Sequence, residues 1–281
     1  MQVGNSTPFI LALEAEEKNM GQSDDEDGKR GNNKKKGIAA VVAAVNKVTP
    51  VGYTMKSPAV FDFYEGEYPL DWAAIKAANP LRVAFQATFG RHGRHSDDKP
   101  DRSVQQFINE AKANGVKYGL YHFLTPNSIT EQANFYLTTV ASLGGFGDME
   151  PIVDIEYEPN RKDKSALNGS QWASQIKAWL DVVENSSGKK PMIYTSAKFW
   201  GFTQDRNGKP PAWSSDYRLW TAGYPLTLYV DANVTCPKSY IPQGWTEWAI
   251  WQYAEDGRYR KYPANDLNLV SDSYRDMLNQ M

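Results

Sequence analysis

A chain of 281 residues with 41% hydrophobic side chains is long enough to bury a sizeable core, as one large domain or two small ones. Its formal net charge of −2 supplies no global positive field of the kind nucleic-acid binding uses, and the single cysteine, Cys236, excludes an internal disulfide framework and any multi-cysteine metal site. No apolar run reaches the roughly 18 residues of a membrane span, so no stable span is expected.

Residues 1–55 differ from everything that follows and are expected to form a non-barrel extension, partly disordered or partner-docking. Thr7 and Pro8 are a reasonable helix start, with Phe9, Ile10 and Leu13 on one face. The run Ser23-Asp-Asp-Glu-Asp-Gly-Lys-Arg-Gly-Asn-Asn-Lys-Lys-Lys36 is an acidic block followed by a basic one. Having no apolar residue, it cannot bury enough surface to order itself and reads as a solvated linker. Ile38 to Val45 is apolar but too short to cross a bilayer. The first residues lack a positive n-region, so no cleaved export signal is expected.

From about residue 57 strands and helices alternate, which predicts an α/β fold with a largely parallel sheet in residues 56–281. In chain order the strands are Ala59–Phe63, Arg82–Ala87, Lys117–Phe123, Pro151–Tyr157, Pro191–Thr195, Tyr217–Ala222, Glu247–Gln252 and Asp266–Val270. Helices are predicted over Leu70–Ala78, Asp101–Asn114 (closed by Gly115), Ser128–Leu143 (opened by a Ser128/Glu131 capping box) and Ser170–Val183. In the last of these Trp172, Ile176, Trp179 and Leu180 recur at helical spacing and are expected in the core. The architecture this suggests is an irregular (β/α) barrel of about eight strands and five helices, in slightly less chain than the usual ~250 residues.

The stretch Pro151-Ile-Val-Asp-Ile-Glu-Tyr157 sets Asp154 and Glu156 two residues apart in an apolar strand. Side chains alternate along a strand, so both carboxyls share one face with Cα atoms roughly 6.6 Å apart. Buried acids cost folding energy, and chemistry is the commonest reason to keep them. In barrels of this kind the site lies at the C-terminal strand ends. Asp62 ends the first strand and Asp266 stands at the start of the last, so four acids are expected around one mouth. Carboxyls crowded together raise one another's pKa, which leaves one proton-bearing acid beside anions, the division of labour a glycosidase needs. The proton is assigned to Glu156.

The chain resembles the GH25 lysozymes, the Chalaropsis-type muramidases. The resemblance runs through Phe61-Asp-Phe-Tyr-Glu-Gly66, Asp71-Trp72, Gln86-Ala-Thr-Phe-Gly90, Tyr118-Gly-Leu-Tyr-His-Phe123, Pro151-Ile-Val-Asp-Ile-Glu156, Met192-Ile-Tyr194, Leu219-Trp-Thr-Ala222, Ile250-Trp-Gln-Tyr253 and Asp266-Leu-Asn268, in the family's order. It implies a barrel whose three final strands lack helices, and hydrolysis of the β-1,4 bond between N-acetylmuramic acid and N-acetylglucosamine in bacterial peptidoglycan. It also implies Glu156 as general acid, Asp154 as its close partner, Asp62 and Asp266 as further acids of the cleft, and Tyr121, Tyr194, Trp220 and Tyr64 as sugar contacts. The chain departs from the family pattern at Phe89, where members often carry an acid, and in the shortened first motif. Both departures bear on substrate detail at the rim.

No cofactor is expected, since the chain has no Walker loop, dinucleotide fingerprint or zincin motif. Arg91-His-Gly-Arg-His-Ser-Asp-Asp98 is read as a solvated loop near the mouth, because its arginines oppose a cation. A role for it would be binding the lactyl and peptide carboxylates of the wall polymer. His122 is read as a hydrogen-bonded structural histidine. Carboxyl spacing separates retaining (~5–5.5 Å) from inverting (~6.5–9.5 Å) enzymes, and rotamers of Asp154 and Glu156 reach either range. The expected deployment is a phage lysin, endolysin or virion-associated, released by lysis or carried in the particle, with residues 1–55 docking onto virion or tail proteins. Two other readings stand beside it: a wall-binding or structural virion protein that kept the barrel without turnover, and a chitinase-like barrel.

Overall fold

Strand-forming runs rich in Val, Ile, Phe, Tyr and Trp close into a barrel in strict chain order, β1 to β8. The computed structural model describes residues 58–126, 128–156, 167–225, 234–255 and 263–281, and the expectations for residues 1–55 lie outside them. The strands are β1 (Val60–Phe63), β2 (Arg82–Phe89), β3 (Tyr118–Phe123), β4 (Ile152–Asp154), β5 (Met192–Ser196), β6 (Arg218–Ala222), β7 (Ile250–Ala254) and β8 (Asp266–Val270). β1 to β7 run parallel, while β8 runs antiparallel to both β7 and β1. This reversal pairs Asp266 with Asp62 and so brings the start of β8 to the C-terminal ends of the others.

Six α-helices are present among the described residues: α1 (Trp72–Ala78), α2 (Val104–Ala113), α3 (Ile129–Ser142), α4 (Gly169–Ser187), α5 (Ala197–Gly201) and α6 (Asp272–Gln280). The expected total is five, of which four have ranges. α5 and α6 are the additions to the chain-order reading, and α5 is too short for periodicity to register. α6 is mostly polar, burying only Tyr274 and Leu278, and starts at Ser271, whose hydroxyl accepts from Tyr274 N. It packs at the N-terminal end of the barrel. There the Arg82 guanidinium donates to Leu278 O (2.5 Å) and the Tyr274 hydroxyl donates to Glu150 Oε2 (2.8 Å).

Two local expectations need correction. Ser128 does not form a capping box: it sits at φ 48°, ψ 51°, and its side chain makes no cap hydrogen bond. An N-cap hydroxyl works from extended backbone, which this left-handed residue lacks. Gln132 organises the turn in its place, accepting from Thr125 N (3.0 Å) and donating to Thr125 O (2.8 Å). β4 ends at Asp154, so Glu156 stands beyond the hydrogen-bonded strand, although Ile155 N still donates to Tyr194 O (2.9 Å).

The barrel interior is filled by Val60, Ala84, Ile152, Met192, Trp220, Ile250 and Val270. A second apolar layer lies between sheet and helices, where Trp172, Ile176, Trp179 and Leu180 of α4 are fully buried, as their spacing predicts. His122 belongs to this layer. Its ring stacks on Trp179 (centroids 5.6 Å apart), Nδ1 meets Thr88 Oγ1 at 2.8 Å and Nε2 meets Gln132 Oε1 at 3.2 Å. Burial pushes its pKa down to about 3, so the ring is neutral and points away from acid–base work.

Candidate active site

The C-terminal end of the barrel opens into a cleft of about 280 Å³. All eight residues singled out from sequence line it: Asp62, Tyr64, Tyr121, Asp154, Glu156, Tyr194, Trp220 and Asp266. β1 delivers Asp62, the last residue of β4 is Asp154, and Glu156 follows two residues later with its side chain on the same side.

Each acid is tied differently. Asp62 accepts from Asn268 Nδ2 (2.7 Å) and from Gln252 Nε2 (3.3 Å to each oxygen). Burial lifts its pKa to about 6 against the pull of those two amides. Asp154 is buried and pushed well above the carboxylate range, first by desolvation and then by the charge of Glu156. Among the described residues its Oδ1 has no hydrogen-bond partner. Burial lifts Glu156 to about 7 against the hydrogen bond from the Tyr194 hydroxyl (3.3 Å), with smaller lifts from the charges of Asp62 and Glu255. Asp266 is lifted to about 10, by burial and then by the charges of Asp62 and Glu67. Near neutrality the cleft therefore holds both protonated and ionised carboxyls.

The floor is a polar lattice that the strand reading overlooked. Trp220 Nε1 donates to Asn268 Oδ1 (2.7 Å), and the hydroxyls of Tyr194 and Tyr224 both reach Gln252 Oε1 (2.8 and 2.6 Å). Trp220 is 2% and Tyr194 8% exposed, so they offer the cleft an edge, while Tyr64, 38% exposed, stands on the rim. Tyr121 lines the wall, its hydroxyl donating to Phe63 O (3.3 Å). Sequence reasoning gave no site role to Glu255, which lines the cleft with Gln86, or to Glu67, lifted to about 7 beside it; Arg94, also lining it, comes from the loop 91–98 already expected near the mouth. Gln86, Gln252 and Asn268 were findable as polar residues on apolar strands; Glu255 follows the end of β7 as Glu156 follows β4.

Loop 91–98 is tied by its histidine rings: Nδ1 of His92 meets Oδ1 of Asp98, and Nε2 of His95 meets Oε1 of Glu65 outside the loop. Among the described residues no group of three or more His, Cys, Asp or Glu is arranged to hold a metal ion.

The raised acids make a prediction about stability. The folded chain holds the Asp266 proton more tightly than the unfolded chain, whose carboxyl titrates near 4. The resulting stabilisation is full below about pH 4 and is lost as pH rises toward about 10. Asp266→Asn is accordingly expected to melt at higher temperature than the parent at pH 8, with the gap closing toward pH 4, as measured by thermal denaturation.

A closed barrel gathering several carboxyls of raised pKa in one open cleft is the arrangement of a glycoside hydrolase. The chain belongs to glycosyl hydrolases family 25, whose model matches residues 61–261. It is 26% identical over 212 residues to the uncharacterized protein YegX of Escherichia coli K12, a match covering 74% of this chain and 66% of YegX. The match thus spans just under two thirds of that relative. With an N,O-diacetylmuramidase of Chalaropsis sp it shares 25% identity over 203 residues, 71% of this chain and 89% of that protein. The fold is shared with a family GH25 lysozyme from Aspergillus fumigatus (TM-score 0.60, 23% identity, 78% of this chain and 96% of that one). It is also shared with a lysozyme from Streptomyces coelicolor (TM-score 0.61, 20% identity, 80% and 97%).

Proposed function

We propose that this chain is a muramidase that cleaves the β-1,4 bond between N-acetylmuramic acid and N-acetylglucosamine in peptidoglycan. The observation that carries the reading is the Asp154/Glu156 pair: two acids of raised pKa in one cleft, one of them with a buried oxygen that no described residue satisfies. A buried acceptor without a partner costs free energy, and a sugar acetamido N–H is the kind of donor that would satisfy it. The diacetylmuramidase named above supports the choice of sugar.

In this mechanism Glu156 gives its proton to the glycosidic oxygen as the bond to the anomeric carbon breaks. Asp154 accepts the acetamido N–H and turns the acetamido oxygen toward that carbon, which it attacks to form an oxazolinium ring. Water then opens the ring, losing its proton to the Glu156 carboxylate, and the anomeric configuration is retained. Asp62, ionised above about pH 6, sets negative potential beside the developing positive charge, while Asp266, lifted to about 10, keeps its proton.

The test is digestion of purified peptidoglycan with identification of the new ends. Reducing N-acetylmuramic acid, first released as the β-anomer, is the expected product; reducing N-acetylglucosamine would overturn the substrate assignment. Binding without cleavage would favour the non-catalytic wall-binding reading, and cleavage of chitin in preference to peptidoglycan the chitinase-like one. Residues 1–55 are assigned outside the catalytic unit, as a docking segment for a phage lysin or virion-borne enzyme, on the charge pattern of residues 23–36 alone. Removing residues 1–50 is expected to leave turnover of soluble wall fragments intact.

A further inference from the structure

We infer that Arg94 reads a carboxylate carried on the muramyl sugar, and so selects an anionic wall glycan over a neutral one. This rests on the substrate reading above. Among the described residues five carboxyls line the cleft, and Arg94 is the one lysine or arginine there. A polymer bearing its own carboxylates is repelled by such a site unless a cation receives it.

Arg94 is built for that task. Its guanidinium lies 4.8 Å from the ring centroid of Tyr64 and 4.9 Å from that of Phe89, and Phe89 is itself stacked on Phe123 at 4.5 Å. Nη2 donates to Gln86 Oε1 at 2.7 Å, which fixes the plane of the fork. Among the described residues no carboxylate stands within ion-pair distance of it, so most of its five N–H donors remain free.

The loop presenting Arg94 is anchored rather than loose. Gly93 has φ +75°, and a Cβ there would lie 2.3 Å from Lys99 O. Glu65 accepts from Arg102 N (2.8 Å), and Asp101 accepts from Glu65 N (2.9 Å) and Ser103 N (3.0 Å). A planar, pre-oriented guanidinium with free donors is suited to bidentate capture of a carboxylate. That carboxylate is either the lactyl group of a glycan stripped of peptide or an acid of the stem peptide.

The experiment measures binding by calorimetry with Glu156→Gln protein, so that fragments are not consumed. The ligands are peptide-bearing and peptide-stripped glycan fragments, each before and after amidation of its carboxyls. Adding Arg94→Ala is expected to weaken binding of one acidic ligand by roughly ten- to a hundredfold, the contribution of a charge-assisted hydrogen bond. Amidating that ligand should cause the same loss in the parent and no further loss in the Arg94→Ala protein, with Arg94→Lys intermediate. Whichever acidic ligand responds identifies the source of the carboxylate. Equal weakening on acidic and amidated ligands would make Arg94 a loop-holding residue and overturn the inference, as would no weakening or no binding at all. Turnover with correct product ends but no carboxylate contrast sinks this inference alone. The contrast without any turnover by the unmodified chain sinks the muramidase reading alone.

Discussion

Glu156→Gln is expected to lower turnover of peptidoglycan fragments by at least the 10²–10⁴-fold that general acid catalysis supplies. The exchange keeps the shape of the side chain and an oxygen for the Tyr194 hydroxyl, so it removes the transferable proton and little else. The loss should therefore appear in kcat with KM nearly unchanged, the signature of an interaction made in the transition state. In the parent the acid must be protonated to act. With Glu156 lifted to about 7, the rate should be sustained below that pH and fall as pH rises through it. The measurement is a pH profile of kcat for parent and variant. A variant that retains more than a tenth of the parent rate would remove Glu156 from the role of acid.

Asp154→Asn is expected to cost on the order of 10²–10³-fold in kcat, the usual effect of removing one preorganised electrostatic partner. The amide keeps an oxygen for the acetamido N–H but has no proton to release, so it cannot become the charge that supports the oxazolinium. Glu156 is lifted by burial, Asp62 and Glu255 rather than by Asp154, so the alkaline limb of the pH profile should stay near pH 7 in this variant. Thermal denaturation separates this role from a structural one: a variant that merely folds poorly would melt early as well as lose rate. Full activity in Asp154→Asn would discard the assisted mechanism while leaving Glu156 as the acid.

The eight strands and the four acids were legible because alternation and apolar runs are strong signals, and because Asp-Ile-Glu on such a run is costly without a purpose. The direction of β8 was not. In an all-parallel barrel the start of a strand lies at the floor, far from the mouth, and nothing in Asp266-Leu-Asn-Leu-Val270 specifies direction. Only its antiparallel pairing with β1 sets Asp266 opposite Asp62. Likewise Glu67 and Arg94 reach the site region through turns whose course depends on long-range ties such as Asp101 to Glu65, and α6 buries two side chains on one face of a polar segment. Buried Trp172 and Trp179 illustrate the converse: helical spacing alone placed them correctly.

The reversal of β8 also decides which way the polypeptide leaves the barrel. A chain finishing on a parallel strand would emerge at the rim and have to fold back across the cleft. Here it emerges on the underside, where α6 acts as a plug bolted to Arg82 and Glu150. Among the described residues, therefore, the chain beyond β8 lies away from the mouth, and nothing after Val270 has to cross over the acids.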